Sequence, residues 1–181
     1  MTRPSAHGDL AYVAPGGEVE ATVLVQHFPA GEGEGLVAAV LDGDSRAHLN
    51  ERYTVVDQSG ACVFYVERYR AASAPAFAVF APDGQPLATY LSDELIVRDG
   101  TSAPVANFND HELVERDGTV LARCARMPLF VQWLVDDEWT LGVGNEPKAL
   151  DRRAVVAFPL VCRLLWSKNM PRERTKADLA P

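Results

Sequence analysis

A short run near the C-terminal end sets the tightest limit on what this chain can fold into. From Ala154 to Trp166, twelve of thirteen residues are apolar if Pro159 is counted, and Arg163 is the exception. An amphipathic surface helix shows a polar face, and this stretch has almost none. It carries neither turn residues nor a period of two, so it does not read as a strand. Crossing a bilayer takes about 20 apolar residues, and the run is too short for that. What remains is a helix over about 150–167, capped by Asp151 and buried inside the protein. Pro159 removes one backbone donor within it and is expected to bend it.

The middle of the chain reads as hairpins. "YTVVD" leads through "QSG" into "ACVFYVERY", "AFAVFA" through "PDGQ" into "PLATYL", and "HELVE" through "RDG" into "TVLARCARM". Aligned on Gly60, Gly84 and Gly118, these are one unit used three times. Asp and Gly accept the backbone of a tight turn, and β-branched and aromatic flanks suit a pleated surface. Asp-Gly also occurs at 42–43 and 99–100, besides 83–84 and 117–118. Within 62–69, Cys62, Phe64 and Val66 fall on one face and Glu67 and Tyr69 on the other, as in a sheet with one buried side. Further strands are expected at 19–28, 36–41, 94–98, 129–136 and 139–143. A sheet of about eleven or twelve strands usually closes on itself. The expected fold is therefore mainly β: a closed antiparallel barrel of about 12 strands enclosing the one hydrophobic C-terminal helix.

One domain of this kind fits 181 residues with 48% hydrophobic and 23% charged content. The expected division is an N-terminal arm over 1–18, the barrel over 19–167, and a polar tail over 168–181. Net charge is −8, split as −5 over residues 1–50, −7 over 51–150 and +4 over 151–181. That balance disfavours non-specific nucleic-acid binding. Three cysteines, Cys62, Cys124 and Cys162, form no close pair and read as small buried hydrophobes of a reducing compartment. The start of the sequence has no apolar stretch of signal-peptide length, so the expected location is cytoplasmic, with no transmembrane segment.

The segments "ERYTVVDQSGACVFYVERY", "FAVFAPDGQPLATYL", "HELVERDGTVLARCAR" and "ALDRRAVVAFPLVCRLLW" together resemble the tubby C-terminal-like superfamily. The nearer likeness is to its LURP-one-related and phospholipid-scramblase-like branch, where repeated hairpins precede a hydrophobic helix. The helix is introduced there by a Leu-Asp-Arg-like step, here Leu150-Asp151-Arg152. The resemblance covers roughly residues 50–167. It implies a twelve-strand barrel around a central helix and, loosely, lipid-headgroup binding. The chain departs from that pattern in lacking a polybasic patch within the barrel and the cysteine cluster and terminal anchor of scramblases.

Residues that carry chemistry are sparse. Asp136-Asp137-Glu138 offers oxygens to a hard cation but lacks the spacing of a calcium loop, and reads as an acidic turn. Neighbours on a strand face opposite ways, so Asp110-His111-Glu112 does not converge as a relay. Glu alternates with Gly in "AGEGEG" and repels phosphate, and no nucleophile elbow, P-loop or dinucleotide motif is present. No metal, cofactor or catalytic centre is expected. Lys148, Arg152, Arg153, Arg68 and Arg70 are the candidates to face an anionic group. Arg152 and Arg153 stand where the helix dipole disfavours positive charge, which fits an anion or an acidic side chain beside them, or a solvated barrel rim, the preferred reading.

The expected function is a non-enzymatic binding or scaffold module for a lipid headgroup or a protein partner. The alternative is a lipocalin-like barrel holding a small apolar ligand. The two differ in whether the helix fills the interior.

Overall fold

The computed structural model describes residues 10–14, 18–28, 48–70, 74–109, 111–126 and 139–166. Eleven strands follow one another: β1 (Leu10–Val13), β2 (Val19–His27), β3 (His48–Asp57), β4 (Cys62–Arg70), β5 (Pro75–Phe80), β6 (Pro86–Leu91), β7 (Ile96–Asp99), β8 (Pro104–Phe108), β9 (Glu112–Glu115), β10 (Val120–Arg126) and β11 (Trp139–Val143). One helix, α1 (Arg152–Trp166), follows them. Each strand pairs antiparallel with the next, giving a single eleven-stranded meander. The expected strands at 36–41 and 129–136, the acidic run 136–138, Asp110 and the tail from 168 lie outside the described residues.

The turns explain the meander. In the β3–β4 turn the Asp57 carboxylate accepts from Ser59 N at 2.8 Å, Ser59 Oγ at 2.6 Å and Ala61 N at 3.0 Å. Gly60 N returns to Asp57 O, and Gly60 takes φ of 82°. Gly84 and Gly118 occupy the same place at 87° and 89°, the left-handed conformation that completes such a loop. A fourth copy was not expected. Asp99 bonds Thr101 N, Thr101 Oγ1 and Ala103 N as Asp57 bonds its own loop, but Ser102 takes the positive φ, at 67°. Gly100 serves differently: a Cβ there would run into the carbonyl of Pro86.

The closed twelve-strand barrel is corrected. The strand order runs from β1 to β11 without a ladder joining the two among the described residues. The helix holds the ends instead. β11 packs on α1, and Tyr12 of β1 donates to the Val156 carbonyl at 3.1 Å. A sheet that curves around a rod can satisfy its end strands on that rod. Turn residues in a sequence report neighbouring pairs and carry no information on whether the first and last strands meet.

The helix reading holds within two residues at its start. Ala154, Val155, Ala157, Phe158, Val161 and Cys162 are fully buried. They share one core with Phe64, Val66, Phe77, Val79, Tyr90 and Leu113 of the sheet. Asp151 caps the helix through Arg153 N at 2.8 Å. Val155 O would bond residue 159, which as proline has no N–H. The carbonyls on either side are met by tyrosines: Tyr90 OH reaches Ala154 O at 2.8 Å, and Tyr12 OH reaches Val156 O.

The expectation of one buried face also needs correction. Phe77 and Val79 face the helix, while Ala76, Ala78 and Phe80 point the other way and are equally buried, in a second cluster with Leu49 and Tyr69.

Candidate functional site

Sequential antiparallel pairing sends alternate turns to opposite rims of the sheet. The four Asp-bearing turns, at Asp57, Asp83, Asp99 and Asp117, therefore share one rim with the start of α1. The opposite rim carries the C-terminal ends of β2 and β4. The five expected anion-binding cations divide between the two rims. Lys148, Arg152 and Arg153 stand on the Asp-turn rim, and Arg68 and Arg70 on the other.

Each of these three cations on the Asp-turn rim already has a carboxylate. Lys148 Nζ lies 2.7 Å from Asp117 Oδ2, and its backbone N and that of Ala149 donate to Glu115 Oε1 at 2.8 and 3.0 Å. Arg152 pairs with Glu146 at 3.3 Å. Arg153 grips Asp151 through Nε and Nη2 at 2.9 and 2.8 Å. The unfavourable charges at the helix start are thus met by acidic side chains, on a rim that is itself solvated. The pairing has electrostatic consequences. Hydrogen bonds from Lys148 and Thr119 hold the Asp117 carboxyl below its usual range. The Arg153 guanidinium does the same for Asp151, against partial burial. A shallow cleft lies beside these groups, lined by Gly118, Thr119, Val120, Arg123, Asn145, Glu146 and Lys148.

The opposite rim holds a motif the sequence reading missed. Glu-Arg-Tyr occurs twice, as Glu51-Arg52-Tyr53 in β3 and Glu67-Arg68-Tyr69 in β4. Antiparallel pairing sets Glu51 opposite Arg68 and Arg52 opposite Glu67. Each arginine crosses to the other copy's glutamate, and each tyrosine donates to the glutamate two residues before it. On the helix-facing side Arg68 Nη1 meets Glu51 Oε2 at 3.0 Å and Tyr53 OH meets the same oxygen at 2.7 Å. Arg68 also lies 5.9 Å from the Phe77 ring centre. On the far side Arg52 Nε and Nη2 reach Glu67 Oε1 at 2.9 and 2.5 Å, and Tyr69 OH donates to Glu67 Oε2. Arg52 sits against the Phe28 and Tyr65 rings, 5.5 and 4.9 Å from their centres. Glu67 is wholly buried and Arg68 nearly so. Burial and the glutamate bond push the Tyr69 hydroxyl well above its ordinary pKa. The legible signal was the repeated triplet itself, spaced to meet itself across a hairpin.

Arg70 ends β4, exposed, opposite His48. Arg68 is committed to Glu51. The structure therefore gathers no open cationic patch from the five residues.

The comparisons with known proteins are sparse. No family model and no curated protein matches the chain. Among solved structures, the X-ray structure of a protein from Arabidopsis thaliana is similar at a TM-score of 0.48 and 14% identity, covering 92% of this chain and 88% of its own. A likeness that remote carries no argument about this chain. No helix among the described residues is long and apolar enough to cross a membrane, and they hold no cluster of three side chains suited to a metal.

Proposed function

We propose that the chain is a non-enzymatic binding module that docks a protein partner, a relative of the tubby-like branch on the residue resemblance given above. The observation that carries the reading is β2. Among the described residues, the large hydrophobic side chains left exposed are Val19, Leu24, Val25 and Leu95, at 48, 54, 45 and 47%, and three of the four lie on that strand. Val25 falls on the face of β2 that Val23 shares and Leu24 on the other, so the strand exposes apolar side chains on both its faces. Two further observations support the choice among the expected ligands. The rim cations are engaged by Asp117, Glu146 and Asp151, so a lipid phosphate would have to displace a carboxylate from each. The interior is filled by Val155, Phe158 and Val161, which opposes a lipocalin-like cavity for a small apolar ligand.

A photo-crosslinking residue at Leu24, with a second protein carrying it at exposed Glu94 as control, tests this in an extract of the source cell. The reading expects one discrete adduct at Leu24 that disappears with Gln26→Lys, two positions along on the same face, and is missing at Glu94. Salt-sensitive flotation with vesicles containing anionic lipid, abolished by Lys148→Ala with Arg152→Ala, would overturn it in favour of headgroup binding.

A further inference from the structure

β1 is the first strand of the meander and pairs with β2 alone among the described residues. It has four residues, as β7 and β9 do, and breaks register between Tyr12 and Val13, as four other ladders break theirs. Its described side chains are half-buried or exposed, namely Leu10, Ala11 and Tyr12, whereas Phe64, Val66, Phe77 and Val79 of β4 and β5 are at 0–1%. One side-chain hydrogen bond ties it to the helix, from Tyr12 OH to Val156 O, and the Tyr12 ring stands edge-on to Phe64 at 6.3 Å. Val23 of β2 lies beside it, and Phe64 and the partly buried Val156 lie beneath it.

We propose that β1 is a displaceable strap, released in a local opening that leaves the rest of the sheet folded, and that an extended strand of the partner protein takes its place. The vacated site dictates the incoming chemistry. It offers the ladder groups of β2 over Val19–Val23, an apolar floor, and the Val156 carbonyl awaiting a donor. A strand with apolar residues on alternate positions and Tyr or Trp at the place of Tyr12 satisfies all three. The identity of the natural occupant rests on the protein-partner reading. The opening does not, and the two can fail separately.

Hydrogen exchange on the full chain reads the opening. The β1 amides that bond β2 are expected to exchange about tenfold or more faster than the ladder amides of β4 and β5; the outward-facing β1 amides, unpaired at the edge, are left out of the comparison. Tyr12→Phe should speed the β1 amides by about a further fivefold and leave β4 and β5 unchanged. Joining the register partners as Ala11→Cys with Thr22→Cys and oxidising them should remove the difference, since paired strands sit within disulfide reach. Strand replacement is read with a synthetic peptide of residues 9–14 bearing a photo-crosslinker. At about millimolar concentration, near the effective concentration of a tethered strand, it should label the 19–23 segment of the native chain and fail to label the tethered one. β1 amides as slow as those of β4 and β5, or a Tyr12→Phe effect spread evenly over all strands, would contradict the strap. Equal labelling of the tethered and native chains would contradict the replacement.

Discussion

Two regions of this molecule use the same ion-pair chemistry to different ends. At the Asp-turn rim the pairs Lys148–Asp117 and Arg152–Glu146 stand in solvent, with side chains from 47 to 75% exposed. In the β3–β4 hairpin, Glu67 is 1% exposed and Arg68 9%. Exposed pairs contribute little, because water and salt screen them and two long side chains lose freedom. Buried pairs are costly to break, because removing one partner strands the other without water. The rim pairs therefore neutralise cations that would otherwise form an anion site. The hairpin pairs lock the register of β3 on β4, since each glutamate meets its arginine in one alignment alone.

The largest expected effect comes from breaking the hairpin. Glu67→Ala leaves Arg52 and the Tyr69 hydroxyl without their acceptor and should cost about 3 kcal/mol in chemical denaturation. Arg68→Ala should cost about 2 kcal/mol, since Glu51 retains Tyr53 and some water. Replacing both Arg52 and Glu67 by apolar residues of similar volume sharpens the point. It should cost less than Glu67→Ala alone. On the Asp-turn rim, Ser102→Gly is expected to stabilise by about 1 kcal/mol, because it relieves the positive φ that the other three turns give to glycine. Lys148→Ala should leave the unfolding midpoint unchanged within error.

Acid acts on the fold through the helix cap. Asp151 titrates below the usual carboxylate value of 3.8, held there chiefly by the hydrogen bond from Arg153. Asp57 and Asp117 are lowered too, by Ser59 and Lys148, but stand in solvent, where the shift carries little stability. A lowered folded-state pKa gives stability that is complete above the unfolded value and fades as pH falls through the folded one. Denaturation midpoints should be flat from neutral pH down to about 5 and decline below about 4. Asp151→Asn should flatten that decline. An unchanged slope would show that the helix cap plays no part in it.

Much of the fold was legible because its causes are local. Asp57, Asp83 and Asp117 precede glycines that take positive φ, and the apolar character of Ala154–Trp166, broken only by Arg163, called for a helix set in the core. The fourth turn was hidden because Ser102 stands at the positive-φ position the other three give to glycine, while Gly100 follows Asp99 for a different reason, the close approach of Pro86. Barrel closure was not legible, since it depends on accumulated curvature and on what β1 and β11 dock against. The candidate site was the least legible part. A cation in a sequence carries no sign of its partner, and Lys148 finds Asp117 across 31 residues. The pairing of Glu51-Arg52-Tyr53 with Glu67-Arg68-Tyr69 needed only the hairpin register, so it was within reach of the sequence.

The claim that one set of charges holds the fold and the other only dresses the surface is tested most directly by two double-mutant cycles. One crosses Arg52→Ala with Glu67→Ala, and the other Lys148→Ala with Asp117→Ala, each read by equilibrium unfolding. A coupling of about 2 kcal/mol is expected in the hairpin and none resolvable at the rim. Equal couplings, or a larger one at the rim, would contradict it.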